Sequence, residues 1–234
     1  MTNIEKNLQA VQKQIHDYAL QYQRDPSSIK LLAASKGQDA NKIKDALQAG
    51  QKSFGENYLQ EALDKMALLK DEKIEWHFIG PIQNNKTKHI ATHFDWAHCI
   101  ESLKTAQRLN DQRPEHLPPL MICIQVNVSE ETTKSGIHDY ELLSLAEACS
   151  DLPRLKLRGL MTIPAPKNTF SEQRIEFHKL FLLQQQLIVK GFPLDILSMG
   201  MSHDLDAAIA EGSTLLRIGT AIFGEREKNK KNLK

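Results

Sequence analysis

Leu31-Leu-Ala-Ala-Ser-Lys36 is a short apolar run that ends on a lysine. Leu31 to Ala34 are apolar on both faces, as the strands of a covered parallel sheet are. Side chains alternate along a strand, so Leu32, Ala34 and Lys36 share one face. Lys36 then falls at the strand's C-terminal end, where parallel α/β folds keep their chemistry. A lysine held there, partly desolvated, loses some of its preference for the charged form and becomes a usable amine nucleophile. Its characteristic product is a Schiff base with a carbonyl. The plainer alternative is a lysine that snorkels out of the strand end into water.

Upstream, residues 4 to 22 read as an amphipathic helix, with Ile4, Leu8, Val11, Ile15, Tyr18 and Tyr22 at spacings of four and three. The repeat is short for a coiled-coil seam, so the stripe is expected to pack on the domain. Downstream, helix-like and strand-like segments alternate. Helical spacing covers 39–49, 58–69, 83–91, 102–109, 140–149, 172–189 and 204–210. Strands are expected at 53–57, 76–80, 95–100, 120–126, 157–163, 194–199 and 214–223, after the first at 31–36. Eight strands alternating with helices leave a closed (β/α)8 TIM barrel or an open doubly wound sheet. No Gly-rich dinucleotide fingerprint follows the first strand, and eight units favour closure. The expected organisation is one domain over 1–234, with the N-terminal helix in 1–24 and a basic tail in 225–234.

The chain has 234 residues, a formal net charge of +1 and 41% hydrophobic residues. That length can bury a substantial core. The near-zero charge argues against a general nucleic-acid footprint. Cys99, Cys123 and Cys149 are scattered singly and suggest free thiols in a reducing compartment. No stretch is long and apolar enough for a membrane span, and Glu5 and Asp17 weigh against a targeting segment. A cytoplasmic protein is expected.

The second chemical feature is Ser198-Met-Gly-Met-Ser-His-Asp204, which joins the seventh strand to a helix. Gly200 would let the backbone approach a ligand, and Ser202 could cap the helix beside N–H groups aimed at an anion. Barrel enzymes often bind phosphate in the loops after strands seven and eight. In Arg217-Ile-Gly-Thr220, alternation puts Arg217 and Gly219 on one face and Leu216 and Ile218 on the other. The apolar pair suits the helix layer, so Arg217 should point into the barrel. An inward arginine requires an anion or other acceptors, the alternatives being a bound anion and a structural pair with a carboxylate. A Schiff-base lysine on strand one plus a phosphate site at strands seven and eight describes pyridoxal 5'-phosphate (PLP).

The motifs also resemble those of the YggS/PROSC family, the PLP homeostasis proteins. Trp76-His-Phe-Ile-Gly-Pro-Ile-Gln-Asn-Asn-Lys86 is similar to that family's signature. The resemblance continues through Phe54–Asn57, Gln125–Ser129, Lys134–Gly136, Gly159–Met161, Ser198–Ser202 and Arg217–Gly224, in order along nearly the whole chain. It implies a barrel like the N-terminal domain of alanine racemase, with PLP as an aldimine on Lys36. It implies phosphate held near Ser202, Gly219 and Thr220, Arg217 and Met199 among the cofactor contacts, and Asn57 and His77 near the ring. Two stretches depart from the family. Gly37-Gln38-Asp39 replaces a bulkier segment that often carries a basic residue and a proline. Glu227 stands where a tyrosine usually follows Gly-Glu-Arg.

Other candidates carry less. His89 and His93 have metal-ligand spacing, but Ile90 stands where His-Glu-x-x-His has glutamate, so no metal is expected. Lys86, Lys88 and His89 read as a solvated helix face. Lys134 is either a second amine near the cofactor or a surface lysine. Cys123 reads as a core thiol.

Three function classes follow: a regulator that carries, buffers or delivers PLP, possibly to PLP-dependent apo-enzymes; a PLP-dependent racemase of the alanine racemase type; and a Schiff-base aldolase. Racemisation needs acid/base groups on both faces of the α-carbon. Tyr18, Tyr22, Tyr58 and Tyr140 do not fall at the ends of late strands, where the second base would be needed. The expectation is therefore a monomeric PLP-binding regulator, with no catalytic residues of its own and no membrane or nucleic-acid partner.

Overall fold

The computed structural model describes residues 2–129 and 135–225. Strand β1 (Lys30–Ala34) pairs in parallel with β2 (Ser53–Glu56) on one side and with β8 (Leu215–Ile218) on the other. That second pairing closes the sheet. Round the ring follow β3 (Glu75–Phe78), β4 (Trp96–Ile100), β5 (Leu120–Gln125), β6 (Leu155–Met161) and β7 (Ile196–Ser198), all parallel and in chain order. The expected (β/α)8 barrel is the observed one. Helix α1 (Asn3–Gln21) precedes the barrel. Between the strands run α2 (Ala40–Gln48), α3 (Leu59–Leu68), α4 (Thr87–His93), α5 (Leu103–Gln112), α6 (Asp139–Ser150), α7 (Phe170–Val189) and α8 (Leu205–Ala210).

Helix starts follow local chemistry. Asp39 accepts from the Lys42 amide, Ser102 from the Thr105 amide, and Thr169 forms a reciprocal capping box with Glu172. The strand pattern sorts the core into two layers. Leu32, Ala34, Ile79, Cys99, Cys123 and Met161 belong to the apolar filling of the barrel. Ala33, Phe54, Trp76, Phe78, Leu216 and Ile218 belong to the core between sheet and helices. The first strand obeys this alternation, and Leu32 is the register partner of Arg217.

Helix α1 buries Ile4, Leu8, Val11, Ile15 and Ala19 against the barrel's helix layer. It packs on α2, α8 and α9 (Thr220–Phe223). Asn7 donates to the Ile222 carbonyl, and Arg24, just beyond α1, donates to the carbonyls of Ile209 and Ser213. The helix after the last strand is only one turn long, so α1 supplies the missing stave.

Some boundaries differ from expectation. The eighth strand ends at Ile218, and Thr220–Phe223 coil into α9. Ile222 and Phe223 are both buried against the outer core, and a short apolar run does not reveal its own period. Helix α4 starts at Thr87, because a turn through Gln83–Lys86 comes first and Thr87 bonds back to the Asn84 carbonyl. Lys134, within the loop after β5, and the basic tail from Arg226 lie outside the described residues. Among the described residues, no helix is long and apolar enough to cross a membrane, and no group of three or more His, Cys, Asp or Glu could hold a metal.

Candidate functional site

At the C-terminal ends of the strands lies a cavity of about 180 Å³. Lys36 borders it from the turn after β1, Asn57 from the turn after β2, Ser202 from the loop after β7, and Arg217, Gly219 and Thr220 from β8 and its end. Six of the eight residues singled out from sequence therefore converge on one space. Ile79 and Ile163 add apolar wall.

The other two do not reach it, His77 because of its depth in the barrel and Met199 because of strand parity. His77 faces the barrel axis but sits two residues below Ile79, which occupies the mouth. It is fully buried and stacked on Trp96, with ring planes 6° apart. Met199 follows the inward Ser198 and so turns outward into the helix layer; its neighbour in the loop, Met201, borders the cavity instead. Two local expectations also change. The N-cap of α8 is Asp204, not Ser202, which leaves the serine bordering the cavity. Gly200 has φ +98°, and a Cβ there would lie 2.5 Å from the Ala208 Cβ and 2.7 Å from a Leu216 methyl. Its glycine serves backbone conformation and helix packing, not close approach to a ligand.

Lys36 stands in a turn closed by the Gln38 amide donating to the Ser35 carbonyl over 3.0 Å. Gly37 has φ +73°, the left-handed value that the third position of a type II turn needs. Gly37, within one of the two stretches that depart from the family pattern, fits the tight turn by which Lys36 leaves the strand. The Lys36 side chain is half-buried.

Arg217 is buried, 5% exposed, and points inward as alternation requires. Its acceptors are the Ser198 hydroxyl at 2.7 Å and the Thr162 carbonyl at 2.9 Å, and among the described residues no carboxylate forms the alternative structural pair with it. Behind it lies a chain of polar groups along the barrel axis. Ser198 Oγ is 2.9 Å from His98 Nδ1, His98 Nε2 is 2.9 Å from His77 Nδ1, and His77 Nε2 lies 3.2 Å from Glu75 Oε2 without hydrogen-bond geometry. Arginine can only donate and an ionised carboxylate can only accept, so Arg217 at one end and Glu75 at the other together set the direction of the chain. Arg217 donates to Ser198, Ser198 to His98, His98 to His77, and the remaining N–H of His77 faces Glu75. Each histidine is then neutral, in the Nε2–H tautomer. Burial is the leading cause that lowers the pKa of both histidines, and His98 goes well below its usual value. Contact with His77 is the leading cause that holds Glu75 below the ordinary carboxylate range.

Sequence reading missed His98, Ser198 and Thr162 as supports of Arg217. Inward parity marks Ser198, but nothing in the sequence pairs strands four and seven across the barrel. Cys99 and Cys123 are buried in the barrel filling, and burial pushes the Cys99 thiol up to about 12. Neither is an available nucleophile.

The donor set is suited to a phosphorylated aldehyde. An amine, a guanidinium and two hydroxyls surround the cavity, and the first amides of α9 have no partner within their own turn. Asn57 Oδ1 is buried without a hydrogen-bond partner in the protein, an orphan acceptor beside the cavity.

The profile of the alanine racemase N-terminal domain matches residues 2–227. The PLP homeostasis protein of Vibrio alginolyticus is 50% identical, over 97% of this chain and 99% of its own. That of Escherichia coli K12 is 49% identical, over 99% and 100%. The structure of PipY from Synechococcus elongatus with PLP bound is similar at a TM-score of 0.84 and 34% identity, covering 94% of this chain and 100% of PipY. An alanine racemase from Clostridium difficile shares the fold, with a TM-score of 0.71, at 15% identity over 97% of this chain and 58% of the racemase.

Proposed function

The chain belongs to the YggS/PROSC family of PLP homeostasis proteins, and on that premise we propose that it binds PLP at the barrel mouth and carries, buffers or delivers it without substantial turnover of amino acids. The observation that carries this reading is the convergence of Lys36, Arg217, Ser202 and Thr220 on one cavity at the strand ends. When bound, PLP supplies an aldehyde that an amine captures reversibly, together with a phosphate that anchors it. Lys36 is the attachment point. Ser202, Thr220 and the Gly219 backbone hold the phosphate. Arg217, fixed by Ser198 and Thr162, presents a permanent cation at the cavity wall. Asn57 offers its orphan oxygen to a donor on the ligand. His77 and Met199 are not among the contacts.

The homeostasis reading is favoured over racemisation by the relatives near 50% identity, which carry that name, whereas the likeness to the racemase is one of fold. The reading extends to a monomer in the cytoplasm that hands PLP to apo-enzymes. Helix α1 supports the monomer, since its apolar stripe is already covered by its own barrel.

The test is a visible spectrum of the PLP-loaded protein before and after borohydride, followed by peptide mapping. The label is expected on Lys36; recovery on another lysine, or on none, defeats the assignment. In parallel, single enantiomers of several amino acids are incubated with loaded protein, and transfer of PLP to an apo-enzyme is followed. Transfer without racemisation is expected. Racemisation on the order of 1 s⁻¹ or faster would make it an enzyme instead.

A further inference from the structure

The residues on either side of Lys36 are both tied to one buried ionic cluster behind the turn. Lys65, from the last turn of α3, is 5% exposed, and its ammonium has three acceptors. These are the Ser35 carbonyl at 2.8 Å, Glu56 Oε1 at 2.7 Å and Glu61 Oε1 at 2.5 Å. An ammonium has three N–H groups, so all are used. Ser35 also donates its hydroxyl to Glu56 over 2.6 Å, and the Gly37 amide donates to Glu61 over 2.6 Å. Glu56 is fully buried at the end of β2. Lys36 is therefore the single residue between two anchored neighbours, with its side chain turned to the cavity.

We propose that Lys65, Glu56 and Glu61 are positioning residues that hold the Lys36 turn in the conformation that captures the cofactor aldehyde. This rests on the reading of Lys36 as the attachment point. A buried ion pair is a poor device for stability alone, because the desolvation of both charges offsets their attraction. A Glu56–Lys65 pair needs no contact with a turn that lies thirty positions earlier in the chain. Yet two bonds of the cluster go to that turn's backbone, one to the carbonyl before Lys36 and one to the amide after it. The ordering of the turn is thus complete before the ligand arrives, which is how preorganisation raises affinity.

The experiment compares PLP with 4'-deoxypyridoxine 5'-phosphate, which keeps ring and phosphate but has no aldehyde. The variants are Lys65→Met, Glu61→Ala and Glu61→Gln, in the full chain. Lys65→Met and Glu61→Ala should weaken PLP binding about tenfold and slow borohydride labelling of Lys36, as expected for loss of a charge-assisted contact. Affinity for the deoxy analogue should stay within about twofold of wild type, since its cradle is untouched. Glu61→Gln keeps an acceptor for the Gly37 amide and should recover most of the PLP affinity. Unchanged PLP affinity in the folded variants overturns the proposal. So does an equal loss for both ligands, the mark of a merely structural role. If Lys65→Met does not fold, Glu61→Ala decides, because the Glu61 side chain is 30% exposed and its removal is tolerated more easily. Wild-type protein that fails to label at Lys36 defeats the underlying reading; wild type that labels beside unaffected variants defeats only this one.

Discussion

Arg217 shows how one residue can be both buried and available. Its guanidinium is held by Ser198 and Thr162 inside the barrel while it borders the cavity above. Replacing it with alanine removes a buried cation, whose desolvation already opposed folding, and leaves Ser198 free to keep its bond to His98. The loss of stability should therefore be modest, about 1–3 kcal/mol from the abandoned acceptors. The loss of PLP affinity should be of similar size in free energy, roughly ten- to a hundredfold. Arg217→Lys should recover little, since one ammonium cannot reproduce the planar fork that spans both acceptors. Urea unfolding beside PLP titration separates the two effects. A folded Arg217→Ala variant with wild-type affinity would make the arginine purely structural.

Helix α1 is the element whose role the fold decides. Leu8 is 1% exposed in the middle of its buried stripe. Leu8→Ala should cost about 2–5 kcal/mol, as for other large-to-small core changes. Light scattering should find the same particle size as wild type. A stripe that joined two copies would instead give a change in size with little loss of monomer stability. The spacing of Ile4, Leu8, Val11 and Ile15 was enough to read an amphipathic helix, but not which surface would cover it. That depends on α9 being one turn long, which the apolar Ala221-Ile-Phe223 concealed by reading equally well as strand. Elsewhere alternation was sufficient: Leu32, Ala34 and Arg217 face inward as parity requires. The same rule, counted through to strand ends, separates Met199 from the cavity. For His77 parity gave the right face, but depth along the barrel is set by register between strands, which no single segment encodes. The Lys65 cluster was illegible for a similar reason. Glu61 and Lys65 share one helix face at i,i+4, but Glu56 and the Ser35 carbonyl reach them only once β1 pairs with β2 and α3 packs behind the two strands.

Across the whole barrel, the chain from Arg217 through Ser198, His98 and His77 to Glu75 joins the cavity to the opposite end of the sheet. It makes stability depend on pH. Both histidines have pKa values lowered chiefly by burial, which favours the neutral imidazole; Glu75 partly counters this for both, and the Arg217 cation adds to it for His98. In the unfolded chain they take protons as pH falls below 6.5. The unfolded state then binds more protons, so their contribution is complete above that pH and is lost below it, at up to about 1.4 kcal/mol per pH unit for each histidine. Glu75, held below its usual 4.5, keeps its contribution until the pH falls under that value and so does not enter between pH 7 and 5. Glu56, Asp95, Glu101 and Asp204 oppose the histidines. Burial raises their pKa values, so the fold takes up their protons first and gains stability as pH falls. The histidine effect is therefore read as a difference. His98→Asn keeps one donor and one acceptor in the chain but cannot take a proton. Urea unfolding from pH 7.5 to 5.0 should show wild type losing more stability than His98→Asn, with the two curves separating below about 6.5. Parallel curves would mean that His98 gains no protonation on unfolding, and the directed chain of neutral histidines would be wrong.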